Sequence, residues 1–166
     1  MSNQAKNKIL IIFACIVMAA SCSINGHQGN GDDNFFSSFT TFANEEWPYA
    51  EPFEVTVDTL ADSICRRGDL LLTLRHSDAY RFSNIWLEVA YDLDDTTETA
   101  DTVNIILSDV YGHWRGRGMG SSFQVNDTIR KAMPLRRHQR LRVRHIMRTD
   151  TLEDIEQIGI SYLPYK

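Results

Sequence analysis

The sequence predicts an all-β domain, an antiparallel β-sandwich of roughly 7–9 strands set behind a signal peptide and a flexible tether. Three observations carry this. Period-two alternation recurs in Phe53–Asp58, Asn84–Leu93 and Arg140–Arg148. Short apolar runs return at intervals of about 10 to 15 residues, the spacing of sandwich strands. No stretch shows the 3.6-residue period of an amphipathic helix.

The chain opens with Lys6 and Lys8, an uncharged apolar run Ile9–Ala20, and the small residues Ala19, Ala20 and Ser21 before Cys22. This is the pattern of a secretory signal. A spanning helix needs about 20 apolar residues, more than this run supplies. The arrangement resembles a bacterial lipoprotein lipobox, with Ala19 where leucine is usual. That resemblance implies that Cys22 becomes the mature N-terminus and carries acyl chains, palmitate among them. One chain anchors only marginally, at about 0.8 kcal/mol per buried CH₂, so stable attachment takes several. The other reading is an ordinary cleaved signal with an incidental cysteine. The segments are then residues 1–21 as signal, 22–34 as tether and 35–166 as sandwich. The tether is polar and glycine-rich, and its dozen or so residues reach roughly 20 Å. Acidic residues come late in it, at Asp32 and Asp33, and not directly after Cys22 as in some surface-exported lipoproteins, which favours the periplasmic side, and the anchor is expected in the outer membrane. Once Cys15 leaves and Cys22 is acylated, Cys65 stands alone, so no disulfide staples the mature chain.

The strands follow in order. Phe35–Phe42 reads as an edge strand, and Glu45, Glu46, Trp47 and Pro48 as a turn. Phe53, Val55 and Val57 share one face. Asp69–Arg75 is apolar on both faces for part of its length and is expected to be central. His76–Ser83 reads as a polar loop. Asn84–Leu93 has the cleanest alternation, with Ile85, Leu87, Val89, Tyr91 and Leu93 inward. Asp94–Asp101 reads as an acidic hairpin loop and Thr102–Leu107 as a strand. Phe123–Ile129 is expected to break at Asn126 and Asp127, with Pro134 closing the segment after it. In Arg140–Arg148, Leu141, Val143 and His145 oppose Arg140, Arg142 and Arg144. Asp150–Glu153 turns into a last strand, Ile155–Leu163.

Between two of these strands lies a glycine arm. Gly112, Gly116, Gly118 and Gly120 flank Trp114. Glycines at near-alternate positions leave one face bare, so something large can pack over it. Trp114 is expected to pin the arm.

The sequence argues against several chemistries. Beyond residue 21 the chain carries 15 bases against 22 acids, a net −7, and no nucleic-acid partner is expected. Gly116–Gly120 lacks the Lys-Ser/Thr ending of a phosphate loop. Asp92, Asp94 and Asp95 begin like a calcium loop, but the sixth position is Thr97 and the twelfth Val103, which excludes an EF-hand. At most a weak carboxylate cation site is left there. The five histidines show no zinc-helix spacing. There is no nucleophile elbow. No metal, cofactor, catalytic residue or small-molecule substrate is expected.

The residues Arg75 to Leu87, the stretch Asp101 to Gly120 with Gly112, Trp114, Gly116, Gly118 and Gly120, and the ending Ile155 to Ile160 together resemble the GldH gliding-motility lipoprotein family. The resemblance implies a non-catalytic, membrane-anchored β protein that works with the envelope machinery of gliding and secretion, touching other envelope proteins. Six Asp-Ser/Thr sites, at Thr59, Ser63, Thr96, Thr102, Thr128 and Thr151, resemble the O-glycosylation acceptor of exported proteins in the same bacteria. Turn initiation by Asp-Thr is the plainer reading. Arg140, Arg142 and Arg144, with Tyr80 and Trp114, are the candidate partner contacts. For the arginines the alternative is a solvated face paired with Glu88 and Asp92. For Trp114 it is a structural anchor. The competing function is a carbohydrate-binding module, which a flat row of exposed aromatic rings would favour.

Overall fold

The computed structural model describes residues 36–58, 66–92 and 97–165. The chain divides into two units, Met1–Gly31 and Asp32–Lys166, and every described residue lies in the second. Cys22, Thr59, Ser63, Cys65 and Thr96 lie outside the described residues.

The strands are β1 (Phe36–Thr41), β2 (Trp47–Pro48), β3 (Phe53–Thr56), β4 (Arg66–Ser77), β5 (Asn84–Asp92), β6 (Glu98–Ile106), β7 (Arg117–Met119), β8 (Ser122–Leu135), β9 (Arg140–His145), β10 (Thr151–Leu152) and β11 (Ile155–Pro164). One sheet runs β1-β11-β4-β8-β7 and the other β3-β9-β5-β6, while β2 and β10 form a separate two-stranded ladder. All the pairings are antiparallel. The expected sandwich is therefore present. The count exceeds the predicted range because β2, β7 and β10 are pieces of two or three residues.

Alternation builds the core. Leu70, Leu72 and Leu74 of β4 and Ile158, Ile160 and Tyr162 of β11 meet Ile85, Leu87, Val89 and Tyr91 of β5 and Leu141 and Val143 of β9 in one buried cluster. Burial of each such aliphatic side chain contributes about 1.5–3 kcal/mol. As expected, β1 is an edge and β4 is central.

Several local expectations give way to tertiary packing, among them the Asp150–Glu153 turn, whose Thr151 and Leu152 pair with Pro48 and Trp47 as β10. Trp47 and Pro48 are not a turn but β2, and the Trp47 indole is fully buried against Phe42, with ring centroids 5.0 Å apart. The chain reverses earlier, in a 3-10 turn at Ala43–Glu45 where Asn44 and Glu45 take φ of 56° and 60°. His76 and Ser77 belong to β4, because they pair with Phe123 and Ser122. The acidic loop is shorter than expected, since Glu98–Asp101 already pair with β5. Finally, β8 runs unbroken through Asn126, Asp127 and Pro134. It is paired to β4 along its length but to β7 only at Ser122–Gln124. Beyond Gln124 it is an edge, where proline costs no ladder bond.

Register fixes the two ends of the first sheet. Thr41, Gln157, Arg75, Gln124 and Arg117 form one row across it, at the end that carries the arm. Phe36, Tyr162, Leu70 and Arg130 form a row nearer the other end. The chain therefore joins the sandwich, at Phe36, away from the arm.

Candidate functional site

The arm spans residues 107–121 and is closed by its own backbone. Leu107 N–H donates to Ser83 O at 2.8 Å, and Arg115 N–H to Leu107 O at 2.7 Å. Ser108 and Trp114 form a bridge. At the tip, Asp109 acts as the organiser. Its Oδ1 accepts the Tyr111 and His113 N–H groups at 2.9 Å each, and its Oδ2 lies 3.1 Å from His113 Nδ1. These donors hold the Asp109 carboxyl below the usual carboxylate range, the His113 N–H foremost.

The glycines divide by role. Gly112 and Gly120 take positive φ at turns, with open space where a side chain would be. Gly116, at φ +88°, lets the arm touch β8: a Cβ there would fall 2.0 Å from Gln124 O. Gly118 sits opposite Phe123, whose ring covers it. Of the face the glycines leave bare, Phe123 covers Gly118 and the β8 backbone lies against Gly116, while Gly112 and Gly120 stay open.

Trp114 anchors the arm. Its ring is partly buried against the core and lies 4.6 Å from His76, 6.2 Å from Phe123 and 6.5 Å from Tyr80, centroid to centroid. His76 is fully buried, its Nδ1 2.8 Å from Ser77 O. Desolvation pushes the His76 imidazole down in pKa and the Tyr80 hydroxyl far up. Tyr80 is a core residue, not a surface contact, because β4 and the arm close over it.

The arginine face is also resolved. Arg144 stands directly opposite Glu88 and is hydrogen-bonded to it. Arg140 Nε is 3.0 Å from Asp92, and Arg142 reaches over Ala90, its register partner, to Glu98 at 2.6 Å. The stripe is a charge ladder whose guanidiniums are paired to carboxylates of their own sheet, Glu88 and Asp92 among them. Its positive charge is spent internally, which removes the electrostatic reason for reading it as a docking face.

Exposed apolar side chains are distributed unevenly instead. Among the described residues ten large hydrophobics are exposed, and the three most exposed, Val110, Tyr111 and Met119, lie on the arm, with Ile106 at the adjoining end of β6. A wide hollow lined by Phe39, Phe42 and Phe53 with Glu46, Glu51 and Glu54 holds no histidine, lysine, arginine or cysteine among the described residues. No group of His, Cys, Asp or Glu among the described residues is arranged to hold a metal. Thr102 and Thr128 are exposed on strands, and Thr151 is half-buried.

The fold and the arm define an all-β sandwich domain with a ring-anchored projection at one end. The chain belongs to the GldH lipoprotein family, whose family model matches residues 34–161. This is a gliding-motility-associated lipoprotein family and it implies attachment to the envelope membrane. Among curated proteins, none matches the chain.

Proposed function

We propose that this protein is a non-catalytic, lipid-anchored component of the gliding or secretion machinery that acts by protein–protein contact. Cys22 carries the acyl chains, and the domain faces the periplasm from the outer membrane. The observation that carries the contact role is the gathering of exposed apolar side chains at the arm end, since concentrated apolar surface marks an interaction site. Crosslinking the native protein in its membrane and identifying the adducts tests it. A discrete envelope partner is expected, and an absence of protein adducts sinks the reading. Palmitate labelling that is lost in Cys22→Ser tests the anchor.

The sugar-binding alternative is less well supported. Trp47, Tyr80, Tyr91 and Tyr162 are buried. Of the exposed rings, Tyr49 lies under the Arg144 guanidinium, 4.8 Å from it, and Trp86 sits beyond Glu88 on β5. The Arg144–Glu88 pair interrupts what would have to be a continuous stacking row.

The Asp-Thr sites remain proposed O-glycosylation acceptors, and exposure at Thr102 and Thr128 supports their accessibility. A native mass above polypeptide plus acyl chains, falling in Thr102→Ala or Thr128→Ala, is the expected result.

A further inference from the structure

Resting on the protein-contact reading, we propose that the glycine arm is the docking element and that it takes an acidic, apolar-faced segment of a partner protein. Val110, Tyr111 and Met119 are 93%, 83% and 86% exposed, far beyond the other large hydrophobics among the described residues. They sit on a scaffold that is already ordered. Asp109 fixes the tip through the Tyr111 and His113 amides, and Trp114 fixes the base through His76 and Phe123. A preorganised apolar tip gives up little conformational entropy on binding.

Charge specifies the partner. Arg115 and Arg117 are exposed and make no ion pair among the described residues. Arg140, Arg142 and Arg144, by contrast, are each held by a carboxylate. The arm thus presents two guanidiniums outside any ion pair against one carboxylate, Asp109, whose oxygens are taken up by Tyr111 and His113, on a chain that is net −7 beyond residue 21. Carboxylates around an apolar recess are its complement.

Two features favour polypeptide over lipid. β7 is the outer strand of its sheet, so its outward backbone groups need partners. A polypeptide strand supplies them, whereas hydrocarbon leaves them unsatisfied at a cost of several kcal/mol each. The arm also lies away from Phe36, where the chain joins the sandwich.

The test places the photocrosslinker p-benzoylphenylalanine at position 111, 119 or 163 of the full-length protein in its own envelope. Adducts to one protein are expected from 111 and 119, mapping to a peptide rich in Asp or Glu and apolar residues. Arg115→Glu with Arg117→Glu is expected to lower their yield about tenfold. If that variant fails to fold, 0.5 M salt on the unaltered arm is expected to act the same way. Protein adducts from 163 alone leave the contact role standing and overturn the arm as its site. Lipid adducts or self-adducts at 111 overturn the partner class, as do protein adducts indifferent to both charge reversal and salt. No protein adduct at any position defeats the contact role itself.

Discussion

The Trp114 indole meets the His76 imidazole edge-on, with centroids 4.6 Å apart and planes at 64°. His76 is the penultimate residue of β4, and Trp114 is the foot of the arm, so this contact joins the projection to the central strand of the larger sheet. An aromatic pair of this geometry adds about 0.5–1.5 kcal/mol to simple burial. Trp114→Ala is expected to cost about 2–3 kcal/mol in urea denaturation, somewhat less than a fully buried tryptophan would. Trypsin cleavage at Arg115 and Arg117 should accelerate more than that global loss explains. Trp114→Phe should restore most of both.

His76 and His145 give the stability curve its acid limb. Both are fully buried, and desolvation holds each imidazole below its ordinary 6.5. Below pH 6.5 the unfolded chain binds protons that the folded chain refuses. Stability is therefore full above pH 6.5 and falls as pH drops toward the folded values. Asp69 and Asp109 act in a different window. Their carboxyls are lowered from 3.8, so their contribution is present above that value and is lost only below it. Urea melts at pH 5 and pH 7.5 should differ for the unaltered protein, and the difference should shrink in His76→Phe and again in His145→Phe. An unchanged difference would remove these histidines as its cause.

How far the sequence reached depends on whether a residue's neighbours are local. Alternation announced β5 and β9 because their inward sets are read from i and i+2 alone. Alternation also places Glu88 and Asp92 on the outward face of β5 and Arg140 and Arg144 on that of β9, but their meeting needs the β9-β5 pairing. Arg142 with Glu98 needs the β9-β5-β6 order and the small Ala90 between as well. Trp47 was hidden for a similar reason. Its local signal is the following proline, whereas its burial comes from β10 and His145, almost a hundred positions on. In the arm, the glycine spacing pointed to the packing at Gly116 and Gly118 but not to the open turns at Gly112 and Gly120, and Trp114 to an anchor. The exposure of Val110, Tyr111 and Met119 left no trace, because a turn, or a strand as short as β7, has no alternation to separate an outward side chain from a buried one.

Asp69 supports a bulge in β8 that can be improved. Register shifts on either side of Leu70, and Ala132 takes φ 51°. The Ala132 N–H lies 3.1 Å from both Asp69 Oδ1 and the Tyr165 hydroxyl oxygen. A left-handed conformation costs a residue with a Cβ about 1–2 kcal/mol, and glycine nothing comparable. Ala132→Gly should therefore raise stability by about 1 kcal/mol. Asp69→Ala should lower it, because the bulge loses its amide acceptor and Tyr165 its partner. A destabilised Ala132→Gly would mean that the methyl group does more than the backbone angle demands.

Gly116 and Gly118 are two positions apart and should respond differently to the same methyl group. At Gly118 the obstacle is the Phe123 ring, 2.8 Å from a built Cβ. A ring can turn about its own torsions, so Gly118→Ala is expected to cost about 1 kcal/mol. At Gly116 the obstacle is the Gln124 carbonyl at 2.0 Å, and φ is +88°. Backbone on β8 cannot retreat without disturbing its pairing with β4, and alanine resists that φ besides. Gly116→Ala should cost about 2–4 kcal/mol by urea denaturation. Hydrogen exchange should locate the damage. In Gly116→Ala the β7 and β8 amides near Gln124 are expected to lose protection, while in Gly118→Ala they keep it. Equal costs at the two sites would show that the arm is not held to the sheet by its backbone.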